Sequence, residues 1–269
     1  MTETDTRIAI MVAITREYEL LKKAMDESDS HSVVKIGHRD FLLGKLHGIN
    51  VVVAMSNPGK VAAAVTATLM VKCFSAAAVI FVGIAGATGA GVRVGDVIVA
   101  KGLVQHDLDV RPFYKITELP SPHRKTHLHL KTFIDEKYHS VISDKLIEDL
   151  GLADPVLREG TIATGDQFIS SDDMKKKVIK NVPDALCVEM EGASVAQVCV
   201  ELETPYCVIR IVSDSSDGSG HADFEKFASG VASELTYGVV DIMLGEFGEE
   251  IIKSVGSVKK RAAVGKELL

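Results

Sequence analysis

Four acidic residues stand where apolar runs of the chain give out. Glu17 follows the first run in Ile14-Thr-Arg-Glu-Tyr-Glu, Glu189 and Glu191 flank Met190 in Val-Glu-Met-Glu-Gly, and Asp214 ends Arg210-Ile-Val-Ser-Asp. Carboxylates gathered without a basic cluster suit sugar hydroxyls, proton transfer or a divalent metal. The plainer alternative is that each one merely caps the helix after it.

Two further clusters invite chemistry. Gly83-Ile-Ala-Gly-Ala-Thr-Gly follows an apolar run and reads as a glycine-rich loop, but its spacing is neither GxGxxG nor GxxxxGK[ST]. Dinucleotide and P-loop readings therefore fail, leaving either a turn that lets backbone approach a small ligand or a plain tight turn. His123, His127 and His129 lie in a Pro- and Lys-containing stretch without the helix that H-E-x-x-H metal sites require, so a solvated loop is favoured. Cys73, Cys187, Cys199 and Cys207 show no CxxC spacing and sit among apolar residues, as buried thiols in a reducing cytoplasm do.

These groups need elements to position them. Strand-length apolar runs fall at Ile8–Ile14, Ile49–Met55, Ala77–Val82, Val97–Ala100, Gly160–Thr164 and Cys207–Val212. Most are continuous rather than alternating, as in strands buried on both faces. Helices are expected at Lys60–Lys72, after an N-cap at Ser171, at Gly192–Glu203, and from a cap at Asp223 to Phe247. Such alternation implies an α/β fold built on a mostly parallel sheet, whose strand ends converge on one crevice. With no internal repeat or low-complexity linker, one domain over residues 1–247 is the simpler expectation. Residues 111–130, with Pro112, Pro120 and Pro122, read as a surface excursion. Residues 248–269 read as an extension, either an appended amphipathic helix or a tail.

Composition narrows the function. Among 269 residues, 30 Lys and Arg face 37 Asp and Glu, a net charge of −7 that argues against nucleic acid as the main partner. Aromatics are 5% and Trp is absent, which leaves little for stacking platforms. No charge falls between Lys72 and Arg93, long enough on paper to cross a bilayer, but the glycines from Gly83 onward favour a buried strand and loop. The N-terminus lacks the basic-then-apolar layout of a signal peptide. Together these lead us to expect a cytoplasmic location with no membrane span.

Taken in order, a set of segments resembles the 5′-methylthioadenosine/S-adenosylhomocysteine nucleosidases of the purine nucleoside phosphorylase-like superfamily. They are Ile8-Ala-Ile-Met-Val-Ala-Ile-Thr-Arg-Glu17, Ser56-Asn-Pro-Gly-Lys-Val-Ala-Ala-Ala, Val94-Gly-Asp-Val-Ile-Val, Gln105-His-Asp-Leu-Asp-Val, Thr164-Gly-Asp-Gln-Phe-Ile, Val188-Glu-Met-Glu191 and Val208-Ile-Arg-Ile-Val-Ser-Asp214. The resemblance runs from residue 8 to about 247. It implies a single three-layer α/β domain around a mostly parallel, mixed central sheet. The implied activity is hydrolysis of the N-glycosidic bond of adenine nucleoside thioethers, without metal or cofactor.

It also implies roles. Glu17 matches the general base on water, and Glu191 the residue that holds the ribose hydroxyls, with Met190 packed against ribose and base. Asp214 matches the group that assists protonation at purine N7, oriented by Ser213. Phe168 falls on the aromatic stacked on adenine and Ile169 on the residue whose backbone reads the base edge. Arg210 and Glu189 complete the water and ribose network, and Phe224 lines the 5′ pocket. Ile84 departs from the family, which commonly has Ser or Thr there; Thr15 and Arg16 replace acids. A homodimer is implied, with Phe113 and Tyr114 as candidates for closing a partner's pocket. Phosphorolysis in the same fold and a non-catalytic nucleoside-binding or storage relative are the competing readings. Phosphorolysis needs a cationic cradle, for which Arg16, Arg210 and the glycine segment's amides are the candidates.

Overall fold

A computed structural model describes residues 6–28, 31–118, 144, 155–216 and 220–266. Among these residues nine strands form one sheet: β1 (Arg7–Val12), β2 (Ser32–Ile36), β3 (Arg39–Leu46), β4 (Ile49–Met55), β5 (Ala76–Ala87), β6 (Val97–Gln105), β7 (Leu157–Thr164), β8 (Ala185–Glu189) and β9 (Tyr206–Asp214). The helices described among them are α1 (Thr15–Asp26), α2 (Lys60–Cys73), α3 (Asp172–Asn181), α4 (Gly192–Glu201), α5 (Gly220–Gly230) and α6 (Ala232–Lys266).

Strand order is β2-β3-β4-β1-β5-β8-β7-β6-β9, and β9 also pairs with β5. That last pairing bends half of the sheet into a closed ring of β5, β8, β7, β6 and β9. The mixture of parallel and antiparallel pairs agrees with the expected mixed sheet. The antiparallel ones are β2–β3, β3–β4, β5–β8 and β6–β9.

Continuous apolar strands need cover on both faces, and alternate residues of β1 show how it is supplied. Ile8, Ile10 and Val12 pack with Leu21 and Met25 of α1 and with Leu235, Val239 and Met243 of α6. Ala9 and Met11 pack on the other face with Ala63, Ala67 and Met70 of α2 and with Ala193, Ala196 and Cys199 of α4. The result is the three-layer arrangement.

Several local expectations are corrected. The segment from Gly83 to Ala87 is not a loop but the end of β5, fully buried and hydrogen-bonded to β9 and β8. It reads as a loop because glycine disfavours strands, yet here it admits side chains from across the sheet. A Cβ on Gly83 would lie 2.7 Å from Glu17 Oε1, and one on Gly86 would lie 1.9 Å from Ser216 Oγ. Cys73 is exposed at the end of α2, whereas the other three thiols are buried. The helix expected from Asp223 to Phe247 is two helices, broken at Val231, and the second continues to Lys266. Ser171 does cap α3, its hydroxyl accepting from Met174 N. His123, His127 and His129 lie outside the described residues. No described helix is long and apolar enough to cross a membrane.

Candidate active site

The carboxyl ends of β1, β5, β8 and β9 meet at one crevice. β8 runs antiparallel to β5, but the two pair only at Gly86–Val188 and Ala87–Cys187, so Glu189 still arrives beside Ile84 and Ala85. A cavity of about 190 Å³ opens there. Its wall includes Ala13, Ile14, Glu17 and Pro58, the β5 residues Ile84, Ala85 and Gly86, and the large side chains Phe168, Met190 and Phe224. Val188, Glu189, Glu191 and Ser213 complete it.

Glu17 sits in the first turn of α1 and is 2% exposed. Oε2 accepts from the backbone N–H of Ala13 at 2.8 Å and Ile14 at 3.0 Å, so it does cap its own helix. Oε1, however, reaches across to the N–H of Ile84 at 2.8 Å. Burial raises its pKa above the ordinary value, against the opposing pull of Arg210 and these three amides. A buried carboxylate with a raised pKa, fixed at a cavity wall, is suited to take a proton.

Glu191 stands at the N-cap position of α4 yet does not cap it. Its Oε1 instead accepts from Gly59 N at 2.8 Å, at the start of α2. Burial first, then the charge of Glu189, push its pKa up. Glu189 plays a different part. It accepts from Thr164 Oγ1, from Glu191 N at 3.1 Å and Gly192 N at 2.7 Å, and from Arg210 Nη2 at 2.6 Å. It is therefore the anchor of α4 and the counter-ion of Arg210.

Arg210 is 1% exposed and lies behind Glu189 rather than in the cavity wall. Its guanidinium rests 4.0 Å from the Phe81 ring centroid, donates to Ile209 O at 3.1 Å, and has Nη2 4.0 Å from Glu191 Oε2. The three neighbouring glutamates raise its pKa further despite burial.

The opposite end is organised around Asp214, 2% exposed. Ser213 Oγ lies 2.8 Å from its Oδ2 and 3.2 Å from Ala85 O, and Ser216 N donates to Oδ1 at 2.8 Å. Like Arg210, Asp214 is not part of the wall; Gly86 and Ser213 stand in front of it. Phe168 is 39% exposed and meets Phe224 edge-on, centroids 5.3 Å apart, across the mouth. Ile169 is buried against Val188 and Val104, just outside the lining.

A model of the phosphorylase superfamily matches residues 7–244. The 5′-methylthioadenosine/S-adenosylhomocysteine nucleosidase of Haemophilus influenzae (strain PittGG) is 30% identical over 239 residues, covering 87% of this chain and 99% of that protein. This chain belongs to that nucleosidase family within the phosphorylase superfamily. Solved structures agree. The family's enzyme from Neisseria meningitidis, in complex with methylthio-immucillin-A, superposes with a TM-score of 0.77 at 30% identity, covering 90% of this chain and 99% of that one. The futalosine hydrolase of Helicobacter pylori strain 26695 superposes with a TM-score of 0.76 at 28% identity, covering 90% and 99%.

Of the family-matched residues, Glu17, Ile84, Phe168, Glu189, Met190, Glu191, Ser213 and Phe224 line one cavity, while Ile169, Arg210 and Asp214 lie immediately behind its wall. Thr164, Gly59 and Gly86 have no role that the sequence alone reveals, although Thr164 and Gly59 fall within segments that carry the resemblance. Their contributions are one hydroxyl, one amide and one missing side chain, which leave little trace in residue type.

Proposed function

We propose that the chain hydrolyses the N-glycosidic bond of 5′-methylthioadenosine and S-adenosylhomocysteine, releasing adenine and the 5-thioribose product. One observation carries this reading: Glu17, held by three backbone amides, shares a small cavity with Glu191. Glu17 takes a proton from water as the water attacks the anomeric carbon. Glu191 accepts hydrogen bonds from the ribose hydroxyls, and Met190 packs against the sugar. The bond breaks through a cation-like ribosyl group, which the surrounding carboxylates stabilise. Adenine is a poor anionic leaving group, so Asp214, oriented by Ser213, supplies a proton at N7. Phe168 stacks on the base, the Ile169 backbone reads its edge, and Phe224 with Ile14 gives the thioether an apolar pocket. None of these steps calls on a metal or organic cofactor.

Phosphorolysis is the sister reaction, and the candidate cradle does not favour it. Arg210 is engaged with Glu189. Arg16 pairs with Glu225 at 2.7 Å. The Ile84 amide is given to Glu17, whose charge would repel a phosphate dianion. Incubation with each nucleoside, with and without phosphate, tests the proposal. Adenine and a free thioribose are expected in both; a ribose 1-phosphate would overturn hydrolysis, and binding without release would favour the storage relative. The reading extends to a cytoplasmic homodimer, in which Phe113, 85% exposed in one chain, covers the partner's 5′ pocket. A monomer by light scattering with full activity would remove that part.

A further inference from the structure

Ser216, two residues beyond the acid, presents an anomaly. Its Oγ is one of the few buried side-chain polar atoms without a hydrogen-bond partner among the described residues. The residue is 1% exposed and holds a φ of 53°, a region that costs a non-glycine residue free energy. Two bonds hold this turn in place. Ser216 N donates to Asp214 Oδ1 at 2.8 Å, and Lys175 Nζ of α3 donates to Ser215 O at 2.7 Å. A buried hydroxyl left unsatisfied is itself unfavourable, so a missing partner is a reason to look for a ligand.

The position of the hydroxyl says which part of a ligand it meets. A Cβ on Gly86 would lie 1.9 Å from Ser216 Oγ and 2.8 Å from Asp214 Oδ1. The hydroxyl therefore stands where a side chain at Gly86 would stand, behind the cavity wall together with the acid, since neither Ser216 nor Asp214 is a lining residue. Because the two groups flank the same point beside Gly86, a base that reaches Asp214 is brought close to Ser216 Oγ as well. On a purine, N7 and the 6-substituent share one edge. A group next to the N7 acid thus addresses the 6-substituent. A hydroxyl can donate or accept, whereas a carboxylate only accepts until it is protonated.

We infer that Ser216 Oγ is the hydrogen-bond partner of the 6-substituent of the leaving base, and that its ability to donate opens the site to 6-oxopurine as well as 6-aminopurine nucleosides. This rests on the nucleosidase reading of the site and extends its substrate class. An amino group can be served by acceptors nearby, Asp214 among them. An oxo group needs a donor, and Ser216 supplies it.

The test compares 5′-methylthioadenosine with its deaminated 6-oxo counterpart, 5′-methylthioinosine, for wild type, Ser216→Ala and Ser216→Gly. Wild type is expected to release both bases. Each variant is expected to lose about tenfold in kcat/KM on the 6-oxo nucleoside, the size of one neutral hydrogen bond, and no more than about twofold on the 6-amino one. Ser216→Gly relaxes the backbone at this φ and Ser216→Ala does not, so an equal loss in both ties the effect to the hydroxyl. Neither variant should melt earlier, because each removes an unsatisfied group. Wild type inert toward the 6-oxo nucleoside, or equal effects on both nucleosides, would overturn the inference while leaving adenine release intact. Wild type that releases no adenine would overturn the nucleosidase reading and this inference with it.

Discussion

The two ends of the cavity are built on opposite principles. At the ribose end, three carboxylates (Glu17, Glu189 and Glu191) face one guanidinium, and all four groups are buried. At the base end there is one acid, two serine hydroxyls and two aromatic rings. With all three ionised, that end would hold more negative charge than its single cation balances, and burial accordingly raises the pKa of Glu17 and Glu191. A neutral nucleoside relieves little of that imbalance; a ribosyl group gaining positive charge relieves much more. Such a difference between ground and transition state is what accelerates a reaction. In the proposed reaction the base end has less to do, since it only holds a ring and delivers one proton.

The largest expected effects come from removing the proposed proton carriers at either end. Glu17→Gln and Asp214→Asn should each lower kcat by about 10²–10⁴-fold. Calorimetry should show adenine still binding to Asp214→Asn, since Phe168 and the Ile169 backbone are untouched. If both variants melt earlier yet turn over normally, the acids are only capping groups and the contrast between the ends collapses.

Next in size is the buried ion pair. Arg210→Met leaves Glu189 charged without its partner, and denaturant unfolding should show a loss of about 3–5 kcal/mol. Adding Glu189→Gln should recover part of it. A loss in Arg210→Met no larger than that of a surface substitution would mean that the ribose end is not charge-strained.

pH sharpens the contrast further. Glu191 has its pKa raised above the ordinary 4.5 by burial and by Glu189. Its folded form therefore holds a proton more readily than its unfolded form, so the stability it contributes is present below 4.5 and lost as pH rises through the raised value. The proposed ribose contact of Glu191 needs the anion and has the opposite sign. Thermal melts of the free protein should fall with rising pH in this window while KM improves, and Glu191→Gln should flatten both. A KM that varies only near pH 4.5 would show an unstrained carboxylate.

The smallest effect is expected at the surface. Arg16 and Glu225 form an ion pair, 41% and 47% exposed, between α1 and α5. Arg16→Ala should cost less than about 1 kcal/mol and leave kcat/KM unchanged. A tenfold loss of kcat/KM would extend the charged machinery beyond the cavity.

What is legible in the sequence follows from what burial does to residue type. The central strands announce themselves as unbroken apolar runs because both faces are covered. The β2–β3 hairpin leaves no such run because its residues are partly exposed, and β8 leaves none because five residues, Ala185–Glu189, make too short a signal. The end of β5 reads as a loop because its glycines serve side chains that arrive from Glu17 and Ser216, far off in sequence. The four acids are visible through their placement after strands and through family likeness. That Glu189 faces Arg210, and that Asp214 lies behind Gly86, depends on strand pairing that no local pattern encodes.

The ring closure of β9 onto β5 also bears on how this molecule avoids edge-to-edge strand association with other chains. A sheet that stayed open would leave β9 as an outer strand, offering its unpaired backbone to any passing chain. Here β9 is bonded to β5 on one side and β6 on the other. The only edge left open among the described strands is β2, five residues long, bearing Lys35 and lying at the far end of the strand order from β9. Adventitious strand pairing is thereby confined to the margin of the sheet, and the strand that carries Asp214 offers no edge to invade.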